Sequence, residues 1–227
     1  MKHTGYGEFI AEYVNRITPG IPIFTEDTAR EVAVHFGTST EQAKKVVNVT
    51  LKRLVDQGNN QLIRFDKGIY YRPKMTVFGP SKLNPMQVFV ETYIKKGMNI
   101  FGYETGPSLL NQMGLTTQIP KYRYFATNRC QRYGDHVDTK LKVVLRRPLI
   151  NVNEEARPYL QLLDALENKD KTPIDVENAQ ERLGGFAVQN NIDFKKLISY
   201  ANKYYNREVV WQVAELAASM ENEPALR

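Results

Sequence analysis

The stretch from Ser39 to Arg72 constrains this chain most, because it demands a capped helix and then, a few residues later, a tight hairpin. Ser39-Thr40-Glu41-Gln42 has capping-box spacing, in which the Ser39 hydroxyl and the Gln42 amide satisfy each other's orphan backbone donors. Ala43, Val47, Leu51, Leu54 and Val55 then recur at helical spacing as a buried stripe and leave Glu41, Lys44, Lys45, Asn48 and Lys52 facing outward, until Gly58 closes the helix. Residues 61–65 and 69–72 are β-prone runs separated by Asp66-Lys67-Gly68, with Gly68 at the left-handed position that closes such loops. Pro73 ends the second run.

Two further helices precede this stretch. Phe9, Ile10, Tyr13, Val14 and Ile17 give residues 7–17 an amphipathic spacing, and Thr18-Pro19-Gly20 ends it. Thr25 reads as the N-cap of a second helix with Ala29, Val32, Ala33 and Phe36 on one face and Gly37 at its end. Helix, helix, turn, helix, hairpin within residues 1–80 is the order of a winged helix-turn-helix, whose third helix enters a DNA groove and whose hairpin reaches the neighbouring backbone.

Beyond it, residues 80–85 read as a linker and 85–96 as a helix with Pro85 in its first turn, ended by Gly97. A short strand at 99–102, a helix at 105–113 stopped by Gly114, and period-2 strands at 121–127 and 139–147 make 81–150 a mixed α/β module. Helices are expected at 154–168, at 175–183 with Gly184-Gly185 as its end, at 193–205 and at 206–220, followed by a loose tail. The expected fold is therefore α+β: a winged helix-turn-helix over 1–80 and a second domain over 81–227, divided into the mixed module and a helical region at 151–227.

Charge is distributed unevenly along this plan. Residues 1–80 carry eleven Lys and Arg against eight acids (+3), 81–150 eleven against four (+7), and 151–227 nine against thirteen (−4). A positive field on the first two thirds suits a polyanion partner, whose counterions it would displace. The acidic last third fits a helical module that packs or meets a partner. Cys130 is the single cysteine, which rules out an intramolecular disulfide and a Cys-rich zinc site. No window has the apolar length of a membrane span and the start lacks a signal-peptide core, so a cytoplasmic location is expected.

The residues expected to meet double-stranded DNA are Ser39, Thr40, Gln42, Lys44, Lys45, Asn48 and Lys52 on the third helix, with Arg64, Lys67 and Arg72 around the hairpin. Lysine neutralises phosphate, and an asparagine amide pairs with adenine. The competing readings are a merely solvated helix face and edge-strand protection. Tyr70 and Tyr71 are expected to divide between core and surface. Lys121, Arg123, Arg129, Arg132, Arg146 and Arg147, interleaved with aromatics, form a second candidate surface, for RNA or another nucleic acid. Packing of an alternating strand explains much of the same pattern. Asp135-His136-Val137-Asp138 lacks a second ligand pair at metal spacing, and neither a cofactor motif nor a catalytic constellation is visible.

Leu51-Lys52-Arg53-Leu54-Val55, then Lys67-Gly68-Ile69-Tyr70-Tyr71-Arg72-Pro73-Lys74 with Phe78-Gly79, and then Gly114-Leu115-Thr116-Thr117-Gln118-Ile119-Pro120 leading into 121–127, resemble AbiEi-like type IV antitoxins. These are transcriptional regulators of abortive-infection (AbiE) toxin–antitoxin systems, and the resemblance spans roughly residues 6–150. It implies a bacterial protein that binds inverted repeats upstream of its own operon and represses it. It also implies that the second domain counters a nucleotidyltransferase-like toxin, without need of a tight complex, in phage resistance. A plain regulator without antitoxin activity and an RNA-binding module are the alternatives.

Overall fold

The computed structural model describes residues 5–58, 62–169 and 171–222. The chain divides between Val88 and Phe89 into two compact units, and helices and small sheets combine into an α+β architecture.

The first unit begins with α1 (Tyr6–Arg16), β1 (Pro22–Phe24), α2 (Thr25–Phe36), α3 (Thr40–Gln57), β2 (Ile63–Asp66) and β3 (Ile69–Tyr71). Ile10 and Val14 of α1, Ala29 and Val32 of α2, and Ala43, Val47 and Leu51 of α3 form one core with Ile23, Leu62 and Tyr70. Each large side chain buried there contributes about 1.5–3 kcal/mol. The α3 stripe is buried as its spacing requires, with Val55 half-buried. Gly37 and Gly58 both take φ 65° just past α2 and α3, a conformation that costs other residues a Cβ clash.

Three details depart from expectation. β1 has no counterpart in the sequence reading, yet it pairs antiparallel with β3 (Pro22↔Tyr71, Phe24↔Ile69) and makes a sheet of order β1-β3-β2. Thr25 is not a cap: it is the first residue of α2 and buried, while Thr28 Oγ1 donates to Phe24 O at 3.1 Å. The hairpin turn is the two residues Lys67-Gly68, because Asp66 pairs with Ile69 and the register slips between Arg64 and Asp66. Phe65 is the bulged residue, and Gln61, the start of the expected run, lies outside the described residues.

Tyr70 and Tyr71 are both buried, with Tyr70 in the helical core and Tyr71 in a separate cluster with Leu83 and Val88. Strand alternation sends the two rings to opposite faces, and each face is covered. Just before the expected linker, whose residues 81–84 carry no regular element, β4 (Met75–Thr76) and β5 (Gly79–Pro80) form a small hairpin closed by Ser81 N donating to Lys74 O at 2.8 Å. α4 (Pro85–Tyr93) stops before Lys96 because β6 (Lys95–Lys96) folds back on β7 (Asn99–Ile100) around Gly97.

The second unit places β8 (Gly102–Thr105), α5 (Gly106–Gln112), β9 (Arg123–Thr127), β10 (His136–Asp138) and β11 (Val143–Arg146) ahead of four helices. The sheet order is β10-β11-β9-β8, with β9 and β11 parallel and the other pairs antiparallel. α6 (Ala156–Lys169), α7 (Ala179–Gln189), α8 (Phe194–Tyr204) and α9 (Arg207–Asn222) pack with α5 around Leu109, Leu110, Leu162, Leu163, Leu166, Leu197 and Leu216. Gly184-Gly185 lies inside α7 rather than at its end. Two glycines cost the helix about 1 kcal/mol each against alanine, which burial of Leu183 and Ala187 on the same helix offsets. The expected tail from 223 onward lies outside the described residues.

Within this core Asp164 of α6 accepts hydrogen bonds from Tyr103 Oη at 2.9 Å, Thr105 Oγ1 at 2.5 Å and Tyr205 Oη at 2.5 Å. Burial raises its carboxyl above the ordinary value, although the three hydroxyl donors pull the other way. Burial, with the Asp164 charge, also pushes the Tyr103 and Tyr205 phenols up. Among the described residues no helix is long and apolar enough to cross a membrane.

Candidate nucleic-acid interface

Ser39 precedes α3 in an extended conformation, and its Oγ accepts from Gln42 N at 3.3 Å. The first turn is thereby capped with Ser39, Thr40, Glu41 and Gln42 all exposed. Farther along, Lys45, Asn48 and Lys52 are exposed at helical spacing, on the side opposite the buried stripe. Val49 stands among them at 71% exposure. Its place four residues after Lys45 is the one sequence signal that sets it on this face. An apolar side chain so exposed within a cationic and amide stripe matches the mixed chemistry of base edges.

Lys44 is placed differently from its neighbours. It is half-buried and ion-paired with Glu26 in the first turn of α2, so one of the expected phosphate cations already has a counterion. Around the hairpin, Arg64 is exposed with Nε donating to Asp66 O at 3.4 Å, and Lys67 is exposed in the turn, its N–H donating to Asp66 Oδ1 at 2.6 Å. Arg72 is tied to another element. Its Nη1 donates to Asn15 Oδ1 at 3.0 Å and its Nη2 to Ile17 O at 3.2 Å, which fastens the end of α1.

The second basic set does not gather into one patch. Arg123 makes a paired contact with Glu104, Nε to Oε1 at 2.9 Å and Nη2 to Oε2 at 2.6 Å, which raises the guanidinium pKa further. Arg146 is ion-paired with Asp135 at 3.3 Å. The parallel register (Val143↔Arg123, Arg146↔Ala126) sets Arg123 and Arg146 on opposite faces of the sheet. Phe125 is buried with its ring 4.9 Å from Phe89, and Ala126 is buried against Leu160 of α6, so both sheet faces are covered. Lys121 and Arg132 are exposed, Arg129 lies 4.0 Å over Phe101, and Arg147 lies 5.3 Å over the exposed Tyr133.

The remaining polar candidates have local duties. Asp138 Oδ1 accepts from Lys140 N and Leu141 N, Asp135 serves Arg146, and Cys130 is buried with Sγ 3.7 Å from Arg132 O. Among the described residues no three His, Cys, Asp or Glu side chains group as metal ligands.

In class, then, this is a two-unit α+β protein whose first unit pairs a capped, outward-facing basic helix with a short antiparallel hairpin. The chain matches the family described as "Family of unknown function (DUF6088)" over residues 10–170, and it belongs to that family. No curated protein matches it.

Proposed function

We propose that the protein is a non-catalytic DNA-binding regulator whose first unit works as a winged helix-turn-helix. In this reading α2 and α3 are the helix-turn-helix, α3 enters the major groove, and the β2–β3 hairpin is the wing. The observation that carries it is the α3 stripe of Lys45, Asn48, Val49 and Lys52, fully solvent-facing on a helix whose other side is locked into the core. Asn48 suits adenine, Val49 a thymine methyl, and the lysines suit guanine or phosphate. Arg64 and Lys67 supply wing contacts to phosphates.

Following its resemblance to AbiEi-like proteins, the chain acts in the cytoplasm as a type IV antitoxin and autorepressor. It binds inverted repeats before its own operon and opposes a nucleotidyltransferase-like toxin. Support for this extension comes from the blocks at 51–55, 67–74 and 78–79, which run through α3 and the two hairpins of the first unit.

Fluorescence anisotropy with the upstream region and a scrambled duplex tests the DNA reading. The native duplex should bind more tightly, losing affinity steeply between about 50 and 200 mM salt. Combined Lys45→Ala, Asn48→Ala and Lys52→Ala substitutions should abolish the preference while circular dichroism stays unchanged. An unaltered affinity at fixed salt would remove the assignment. Co-expression with the adjacent gene product tests the antitoxin role: growth should be restored by the full chain and not by an empty vector.

The exposed Tyr133 beside Arg147, at a cavity of about 420 Å³ that Asn128 and Asn151 also line, favours a second reading in which the second unit holds single-stranded RNA. Combined Arg129→Glu and Arg147→Glu should then release RNA and spare the duplex. Undiminished RNA retention dismisses it.

A further inference from the structure

Between α5, α6 and α7 a cavity of about 770 Å³ opens to solvent, a size at which small molecules are held. Arg157 and Gln161 of α6, Arg182, Phe186 and Gln189 of α7, and Gln112 of α5 line it, and no carboxylate does. Arg157 Nε is buried without a hydrogen-bond partner, as are Arg72 Nε and Arg146 Nε, but those two guanidiniums reach Asn15 and Asp135 through their terminal nitrogens. Arg157 and Arg182 also sit in the first turns of α6 and α7, where the aligned peptide dipoles are already positive and a cation is disfavoured. Two guanidiniums in that setting concentrate a field that an anion would relieve.

Arg182 is held for the task. Its Nε donates to Asn178 Oδ1 at 2.8 Å, which leaves the terminal amines to other partners. A Cβ at Gly114 would stand 2.3 Å from Arg182 Nη1, so the glycine vacates the space the guanidinium occupies. Two cations match a dianion better than a single carboxylate, and guanidinium forks fit phosphoryl oxygens in pairs. The Phe186 ring offers an apolar wall and the three glutamine amides offer both donors and acceptors, the complement of a flat heterocycle with polar edges.

We propose that this cavity binds a nucleoside monophosphate, with Arg157 and Arg182 taking the phosphoryl group and Phe186 with the glutamines taking the base. The site is independent of the α3 surface, so duplex binding can fail while this stands.

Isothermal titration of the full chain with AMP, GMP, CMP and UMP tests it, with adenosine and inorganic phosphate as partial ligands. At least one monophosphate should bind one-to-one in about the micromolar to millimolar range. Arg157→Gln and Arg182→Gln should each weaken it roughly ten- to hundred-fold, the loss expected for a charged hydrogen bond. Gly185 lines the same cavity and faces open space, so Gly185→Trp should block binding while circular dichroism and thermal unfolding stay near wild type. Absence of binding by all four monophosphates overturns the proposal, as does unchanged binding in a folded Arg157→Gln or Arg182→Gln protein. Adenosine binding as tightly as AMP would remove the phosphoryl assignment, and phosphate matching every nucleotide would remove the base.

Discussion

Arg72 and Asn15, 57 residues apart, are joined by a 3.0 Å hydrogen bond that ties the last turn of α1 to the end of β3. The same guanidinium donates to Ile17 O, so a cation also sits at the negative end of α1. Arg72→Ala should therefore lower first-unit stability by about 1–3 kcal/mol, read by urea unfolding. Duplex affinity measured well below the melting temperature should change little. A variant with unaltered stability and lost DNA binding would return Arg72 to the interface.

Glu26 neutralises Lys44 from the start of α2. Both side chains are about half exposed, so the pair contributes only about 0–1 kcal/mol to stability. Glu26→Gln should release a cation and steepen the dependence of log affinity on log salt by about 0.9. Lys44→Ala should leave that slope nearly unchanged in the wild-type background.

Asp164 should give the second unit an inverted acid response. Because burial holds its folded pKa above the ordinary value, its contribution is fully present below that value and is lost as pH rises through the folded one. Melting temperatures followed upward from the ordinary carboxylate range should fall in the wild type and stay flatter in Asp164→Asn. Asp164→Ala leaves three hydroxyls without their acceptor and should cost at least about 2 kcal/mol.

Asp175 has the opposite sign. The Thr117 hydroxyl, at 2.6 Å from Oδ2, and the Thr117 N–H, at 2.9 Å from Oδ1, hold its carboxyl below the ordinary value. Its tether on the 114–120 segment is present above the ordinary value and is lost as pH falls through the depressed one. The protection factor of the Thr117 amide against hydrogen exchange should fall across that window, and in Asp175→Asn it should be low already above it, the two proteins converging at lower pH.

α1, α2 and α3 were legible because each has a strong apolar stripe, and Gly37 and Gly58 mark where two of them end. β1 was not, since Pro22–Phe24 is too short to show a period and exists only through β3. β10 lay hidden in Asp135-His136-Val137-Asp138, where the side chains drew attention to ligand chemistry rather than to an edge strand. Gly184-Gly185 misled because a local breaker signal was outweighed by burial on both sides. The outward face of α3 followed from its register, but the partners of Lys44 and Arg72 come from other elements, which no spacing within α3 or the hairpin reveals.

The order β10-β11-β9-β8 has a consequence for chains still being made. β9 gains its β8 neighbour from residues already synthesised, but its other edge stays open until Val143–Arg146 arrives. An open edge carrying Phe125 and Ala126 is a template for another chain. Fragments that end before Val143 should therefore precipitate through this edge, and full-length yield should depend on how quickly β11 closes it.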